Sequence, residues 1–79
     1  MIRGYVLVQT RVAMGPQVAL ELGRVPGVLS AEGVTGPYDV IVRVEAPDLD
    51  ELGRRVAVGV HGVDGITRTI TCIRASSRS

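Results

Sequence analysis

The sequence predicts an α+β domain of β-α-β-β-α-β order, a four-stranded antiparallel sheet with two helices on one face. Three observations carry this expectation. Four short runs, at residues 1–12, 28–34, 39–45 and 66–73, alternate their side chains or are rich in Val, Ile and Thr, as strands are. Two segments between them, opening at Pro16 and Pro47, carry apolar residues at helical spacing. The joints Val25-Pro26-Gly27-Val28 and Val63-Asp64-Gly65-Ile66 occupy equivalent places in the two halves, each leading from helix to strand. Two β-α-β units so arranged form the split, ferredoxin-like fold, and right-handed crossovers put both helices on the same side.

Each element has its own local reason. In the first strand Val6, Val8, Thr10 and Val12 alternate with Tyr5, Leu7, Gln9 and Arg11, until Met14-Gly15-Pro16 breaks the run. Pro16 suits the first helical position, where its missing N–H costs nothing, and Val18, Ala19, Leu22 and Val25 form the buried stripe of a helix over 16–24. The Pro26-Gly27 pair stops that helix. Strands over 28–34 and 39–45 flank a short Gly-Pro turn and read as a hairpin. Asp48 caps the second helix, with Glu51 at the third helical position. Leu49, Leu52, Val56 and Val60 are spaced to line its inner face. The last strand puts Thr67, Thr69 and Thr71 on one side and Ile70 and Cys72 on the other.

A chain of 79 residues holds one domain, residues 1–74, followed by a polar tail over 75–79 that is expected to be disordered. A domain this small buries only about 60% of the surface its unfolded chain exposes. With no Phe or Trp, its core must come from Val, Leu and Ile, and small cores of this kind gain stability from oligomerisation. The net charge of +1 leaves no electrostatic footprint for nucleic acid or an anionic membrane surface. A single cysteine, Cys72, excludes an internal disulfide framework and a cysteine-rich metal site. No apolar run approaches the ~20 residues of a membrane helix, and no secretory leader is visible. A cytoplasmic domain with no cofactor and no metal is expected.

With both helices on one side, the other face of the sheet needs a partner or solvent. Alternation assigns Val6, Val8, Val40, Val42, Val44, Ile70 and Cys72 to the helix side. The opposite face then carries Tyr5, Leu7, Gln9, Arg11, Ile41, Arg43, Thr67, Thr69, Thr71 and Ile73. Such a mixed face suits a protein interface, which combines an apolar centre with a polar rim. The simplest partner is a second copy, meeting through Tyr5, Leu7, Gln9, Ile41, Arg43 and Ile73.

Residues with chemical potential are few. His61, the only histidine, has no second His or Cys to help hold a metal, and a histidine at a helix end commonly serves the last carbonyls. Cys72 in a strand behaves as a small hydrophobe, and Arg54-Arg55 reads as a solvated helix face. No Ser-His-Asp set, phosphate loop or carboxylate pair is present, so an enzyme reading has little to build on. Thr35-Gly36-Pro37-Tyr38-Asp39 stands apart. Gly36 and Pro37 are explained by a hairpin turn alone. Asp39, an acid opening an apolar strand, either hydrogen-bonds the turn backbone or offers its carboxylate to a ligand ammonium, and the residues leave both open.

Four motifs in series resemble the effector-binding (RAM) domain of Lrp/AsnC-type regulators. They are Leu22-Gly23-Arg24-Val25-Pro26-Gly27-Val28, Val34-Thr35-Gly36-Pro37-Tyr38-Asp39, Ala46-Pro47-Asp48-Leu49-Asp50-Glu51-Leu52, and Val63-Asp64-Gly65-Ile66-Thr67-Arg68-Thr69. The resemblance runs over residues 5–73. It implies a domain that dimerises through its sheets as an α/β sandwich, dimers that assemble into rings, and a small effector, typically an amino acid, bound where dimers meet. Carried over by position, the ligand-binding residues are Thr35, Gly36, Tyr38 and Asp39, with Thr69 and Thr71 on the last strand. Asp39 would anchor the effector ammonium and the backbone around Gly36 its carboxylate. Pro37 stands where the family usually has a polar residue, and it removes one backbone donor. The chain begins at the first strand, without the helix-turn-helix segment of full regulators. The resemblance is therefore to stand-alone forms, with full-length Lrp/AsnC regulators as further partners and no direct DNA binding expected.

Three other readings are compatible with the element order. An ACT-like amino-acid-binding domain would place its ligand at the first strand–helix loop, Ala13-Met14-Gly15-Pro16. A purely structural oligomerisation module would use the sheet face alone. A dimeric α+β-barrel enzyme would need chemistry that one His and no Trp or Phe hardly supply.

Overall fold

The computed structural model describes residues 1–75, so the expected tail beyond Ala75 lies outside the described residues. The chain forms β1 (Ile2–Thr10), α1 (Gly15–Leu22), β2 (Val28–Gly33), β3 (Val40–Ala46), α2 (Leu49–Arg55) continued by a π-helical segment (Val56–Val60), and β4 (Ile66–Ile73). The sheet order is β2-β3-β1-β4, with every neighbouring pair antiparallel. This is the split β-α-β arrangement read from the sequence, with element ends displaced by a residue or two.

Both helices pack on one face. Val6, Val8, Val40, Val42 and Val44 meet Val18 and Leu22 of α1 and Leu52, Val56 and Val60 of the second helix in a single core. Aliphatic residues alone thus fill it, as the lack of Phe and Trp requires. Asp48 caps α2 through its Oδ1, which accepts from the Glu51 N–H at 2.8 Å. Leu49 does not join the buried stripe and is 59% exposed. The chain leaves β3 at Ala46, so the capped first turn lies at the end of the sheet and burial begins one turn later, at Leu52. From Val56 the helix widens, the His61 N–H reaching back five residues to the Val56 carbonyl at 3.3 Å. Gly59 is what lets this segment lie against Val25, because a Cβ there would collide with Val25 Cγ1.

The duplication visible in the sequence is real in the backbone. Gly27 and Gly65, in the two helix-to-strand joints, adopt φ of 90° and 97°, where L side chains are strained.

The register corrects the reading of β4. Val6 pairs with Thr71 and Val8 with Thr69, so these threonines share the helix face, and Ile73, opposite Gly4, does too. A Cβ on Gly4 would in fact lie 3.6 Å from Ile73 Cδ1 and 3.5 Å from Leu52 Cδ2. Ile70 and Cys72 instead pair with Leu7 and Tyr5 on the open face. Two physical facts explain the inversion. A bulge between Gln9 and Thr10 shifts the pairing, so that Thr10 pairs with Ile66 and Gln9 with Arg68, which changes the phase of the strand after Ile66. In addition β4 is an edge strand, so threonines on its helix side stay near solvent and incur no burial cost. The open face accordingly carries an apolar centre of Leu7, Ile41 and Ile70 beside Tyr5 and Cys72. Arg43 pairs with Tyr5 at its margin, and the cross-strand Arg3–Glu45 ion pair, 3.3 Å, lies further along. That exposed pair contributes little to stability.

Candidate functional site

Antiparallel pairing of β1 with β3 brings the end of one strand beside the start of the other, with Val8 opposite Val40. The 34–39 loop is closed there by two backbone bonds. The Val34 N–H donates to the Asp39 carbonyl (2.9 Å), and the Asp39 N–H donates to the Val8 carbonyl (2.8 Å). Gln9 Nε2 donates to the Pro37 carbonyl at 2.9 Å, so this side chain, expected at a sheet interface, ties down the loop. Gly36 has φ 151°, and a Cβ there would meet nothing within 4 Å, so the glycine serves conformation and not close packing. Thr35 and Gly36 are exposed, and Tyr38 and Asp39 are half-buried.

The Asp39 side chain has a defined task. Its Oδ2 accepts from the Thr10 N–H at 2.8 Å, at the point where the bulge interrupts the β1–β4 ladder. A carboxylate in place of a missing strand partner satisfies a half-buried donor. The sequence suggests the turn's own backbone or a ligand as the partner of Asp39; the backbone it bonds is instead the end of β1. Oδ1 makes no hydrogen bond among the described residues.

On the other side of Thr10 the chain passes through 11–14 into α1. The Arg11 N–H donates to the Gly65 carbonyl (2.8 Å) and the Met14 N–H to the Arg11 carbonyl (3.0 Å). Ala13 takes φ 67°, a conformation costly for a residue with a Cβ. Gly15 packs on Asp39, where a Cβ would be 3.8 Å from the aspartate Cβ. The result is an open cavity of about 420 Å³ lined by Thr10, Arg11, Gly15, Pro16, Val34 and Asp39, with Val12 and Ala13 completing its wall. Val12 is 97% exposed at its rim.

The predicted site residues do not all converge here. Asp39 lines the cavity; Thr35, Gly36 and Tyr38 adjoin it along the chain without lining it. Thr69 and Thr71 lie on β4, beyond β1, about 10 Å across the sheet by ordinary strand spacing. Thr69 Oγ1 is within 3.1 Å of His61 Nε2, and the two line a separate hollow of about 280 Å³ with Ile66, Thr67 and Arg68. No group of three metal-ligating side chains occurs among the described residues, and no helix there is long and apolar enough to cross a membrane. Sequence reasoning did not single out Thr10 or Arg11 for the site. The signal was the β1–β3 pairing of the split fold, which obliges the end of the first strand to adjoin Asp39.

Comparison with known proteins gives a consistent result. The family model described as Lrp/AsnC ligand binding domain matches residues 3–78. PH1916 of Pyrococcus horikoshii, an uncharacterised HTH-type transcriptional regulator, is 32% identical over 57 residues, 72% of this chain and 38% of the regulator. The chain thus spans well under half the length of the curated regulators it first matches. The crystal structure of TTHA0845 from Thermus thermophilus superposes with a TM-score of 0.90 at 29% identity, covering 100% of this chain and 99% of that one. The transcriptional regulator NMB0573 of Neisseria meningitidis, solved as a complex with L-Met, superposes with a TM-score of 0.81 over 99% of this chain and 52% of that one. At 18% identity that second likeness is one of fold.

Proposed function

Because the chain belongs to the Lrp/AsnC ligand-binding domain family, we propose that it is an oligomeric sensor that binds an amino acid or a similar small metabolite beside Asp39. The observation that carries this reading is the half-buried Asp39 carboxylate at the wall of a 420 Å³ cavity, with one oxygen held by Thr10 and the other unpartnered among the described residues. A carboxylate fixed through one oxygen presents the second to an ammonium without having to be ordered first. The loop residues Thr35, Gly36 and Tyr38 close over the ligand from the hairpin side. Thr69 and Thr71, two strands away, contribute from a neighbouring protomer where dimers meet.

Pairing of the open sheet faces makes the dimer. Ile70 and Cys72 join Tyr5, Leu7, Gln9, Ile41 and Arg43 in that surface, and Ile73, on the helix face, leaves it. Dimers join into a ring, and co-assembly with full-length regulators in the cytoplasm transmits the bound state. The role is regulatory and not enzymatic. Sedimentation velocity at micromolar concentration should find no monomer, whereas Leu7→Arg, placing a charge at the centre of the face, should yield monomer. A monomeric native chain would rule out the sheet-to-sheet dimer.

Thermal melting in the presence of each of the twenty amino acids tests the ligand. Saturation at 100 times Kd stabilises by about 2.7 kcal/mol, which in a domain this small raises Tm by roughly 10–20 °C. No rise with any amino acid would refute an amino-acid effector and leave another small metabolite or a structural oligomerisation module, the latter favoured only by the use of Asp39 Oδ2 as a backbone partner.

A further inference from the structure

We propose that the outer face of the second helix docks on the same face of another copy, the two helices running antiparallel about a twofold axis at Gly53. The contact lies on the layer opposite the open sheet face and joins one sheet-paired dimer to the next. None of its residues belongs to the 34–39 loop or to β4, so it stands apart from the sensor reading.

The helix carries an exposed surface that nothing in the protomer uses. Leu49 is 59% exposed and Val58 75%, and Gly53, Arg54 and Ala57 are exposed between them. Leu49, Gly53 and Ala57 follow at four-residue intervals and so share a face. Gly53 has no reason within the chain. A Cβ there would meet nothing within 4 Å, unlike Gly59, where it would collide with Val25. Glycine inside a helix is unfavourable, and on an open face its advantage is the close approach of a second backbone.

Shape identifies the occupant as a second copy. Beside Val58 lies a hollow of about 230 Å³ lined by Val25, Pro26, Arg54, Arg55, Val58 and Gly59. Its wall is apolar, the arginines lending their stems. Leu49 stands four residues before Gly53, and Ala57 and Val58 stand four and five after it, about 6–7 Å along the axis in either direction. A twofold at Gly53 therefore sets each Leu49 over the other copy's Ala57, at the mouth of its hollow.

The charges obey the same axis. Acids lie before Gly53, at Asp48, Asp50 and Glu51, and bases after it, at Arg54 and Arg55. Antiparallel pairing brings the acidic turn of each helix beside the basic turn of the other, whereas a parallel pair would set like charges together. Asp50 forms no ion pair among the described residues, and the Arg54 side chain, 73% exposed, reaches only Glu51, at 3.6 Å. Each is placed to meet its opposite across the axis. One pair of short helices buries less than the ~1,200 Å² of a stable interface, so monomers of Leu7→Arg do not form it at micromolar concentration. A sheet-paired dimer presents the face twice, and multivalency then joins dimers.

Sedimentation velocity of the whole chain at submillimolar concentration tests this, with melting curves at micromolar concentration alongside. The native chain should form species larger than the dimer. Gly53→Gln, whose side chain enters open space in the protomer, should melt at or above the native temperature, yet shift the assembly at least tenfold toward dimers. Asp50→Arg and Arg54→Asp should each weaken the assembly at least tenfold, and the double variant should recover it. A native chain with no species above the dimer would overturn the contact, as would larger species in Gly53→Gln at the native level. Failure of the double variant to recover what both single variants lose would overturn the antiparallel pairing.

Discussion

Replacing Gly65 by alanine should lower the unfolding free energy by about 2–4 kcal/mol. The residue is buried at φ 97°, where adding a Cβ strains the backbone by about 1–2 kcal/mol. The new methyl would also stand 2.6 Å from Met14 Cε and 3.3 Å from Val18 Cγ2, so the flexible Met14 side chain must leave its place over the core and Val18 must give slightly, which adds about 1–2 kcal/mol, the lower part of the overpacking range. Its counterpart Gly27 makes the comparison sharp. There φ is 90° and the nearest obstacle is the Arg55 side chain, at 2.8 Å from the added Cβ. Arg55 can swing outward at the loss of one hydrogen bond to the Glu45 carbonyl, about 0.5–1 kcal/mol beyond the backbone strain, so Gly27→Ala should cost about 1.5–3 kcal/mol. Urea unfolding of both variants measures the difference. Equal losses would mean that crowding against Met14 and Val18 costs no more than displacing Arg55 from the Glu45 carbonyl.

Substitution of Asp39 should separate its two tasks. Asp39→Ala strands the half-buried Thr10 N–H, a loss of about 1–2 kcal/mol in stability, and also abolishes the ammonium contact. Asp39→Asn keeps an oxygen that accepts from Thr10, so its stability should stay within about 0.5 kcal/mol of native. It lacks the negative charge, and a hydrogen bond to a charged group is worth about 1.5–3 kcal/mol, so amino-acid affinity should still fall between about 10- and 100-fold. Melting curves and calorimetric titrations on the two variants give both numbers. Native affinity in Asp39→Asn would leave the aspartate with its structural role alone.

The element order was legible because every strand and helix carries its own punctuation. Pro16, the Pro26-Gly27 pair, Asp48 with Glu51, and Gly65 mark the boundaries with little help from tertiary contacts. The face assignment of β4 was not legible, since alternation separates Thr69 and Thr71 from Ile70 and Cys72 without saying which set meets the helices. That depends on the bulge opposite Thr10 and on β4 being an edge, both properties of pairing between distant segments. Leu49 shows the same limit on a helix, where spacing predicts a stripe but not where the sheet beneath it ends. At the site, Asp39 stood out as an acid at the head of an apolar strand. Arg11 and Thr10 did not, because their relation to Asp39 arises only when β1 lies against β3.

Whether this fold holds a small ligand between residues 10–16 and the 34–39 loop can be read residue by residue. The measurement is amide chemical-shift mapping of the 15N-labelled chain, titrated with the amino acid that most raises its melting temperature. Saturable shifts concentrated at Thr10, Ala13, Gly15, Val34 and Asp39 are expected. Shifts that never saturate, or that saturate only on the open sheet face or along β4, would contradict a ligand bound there.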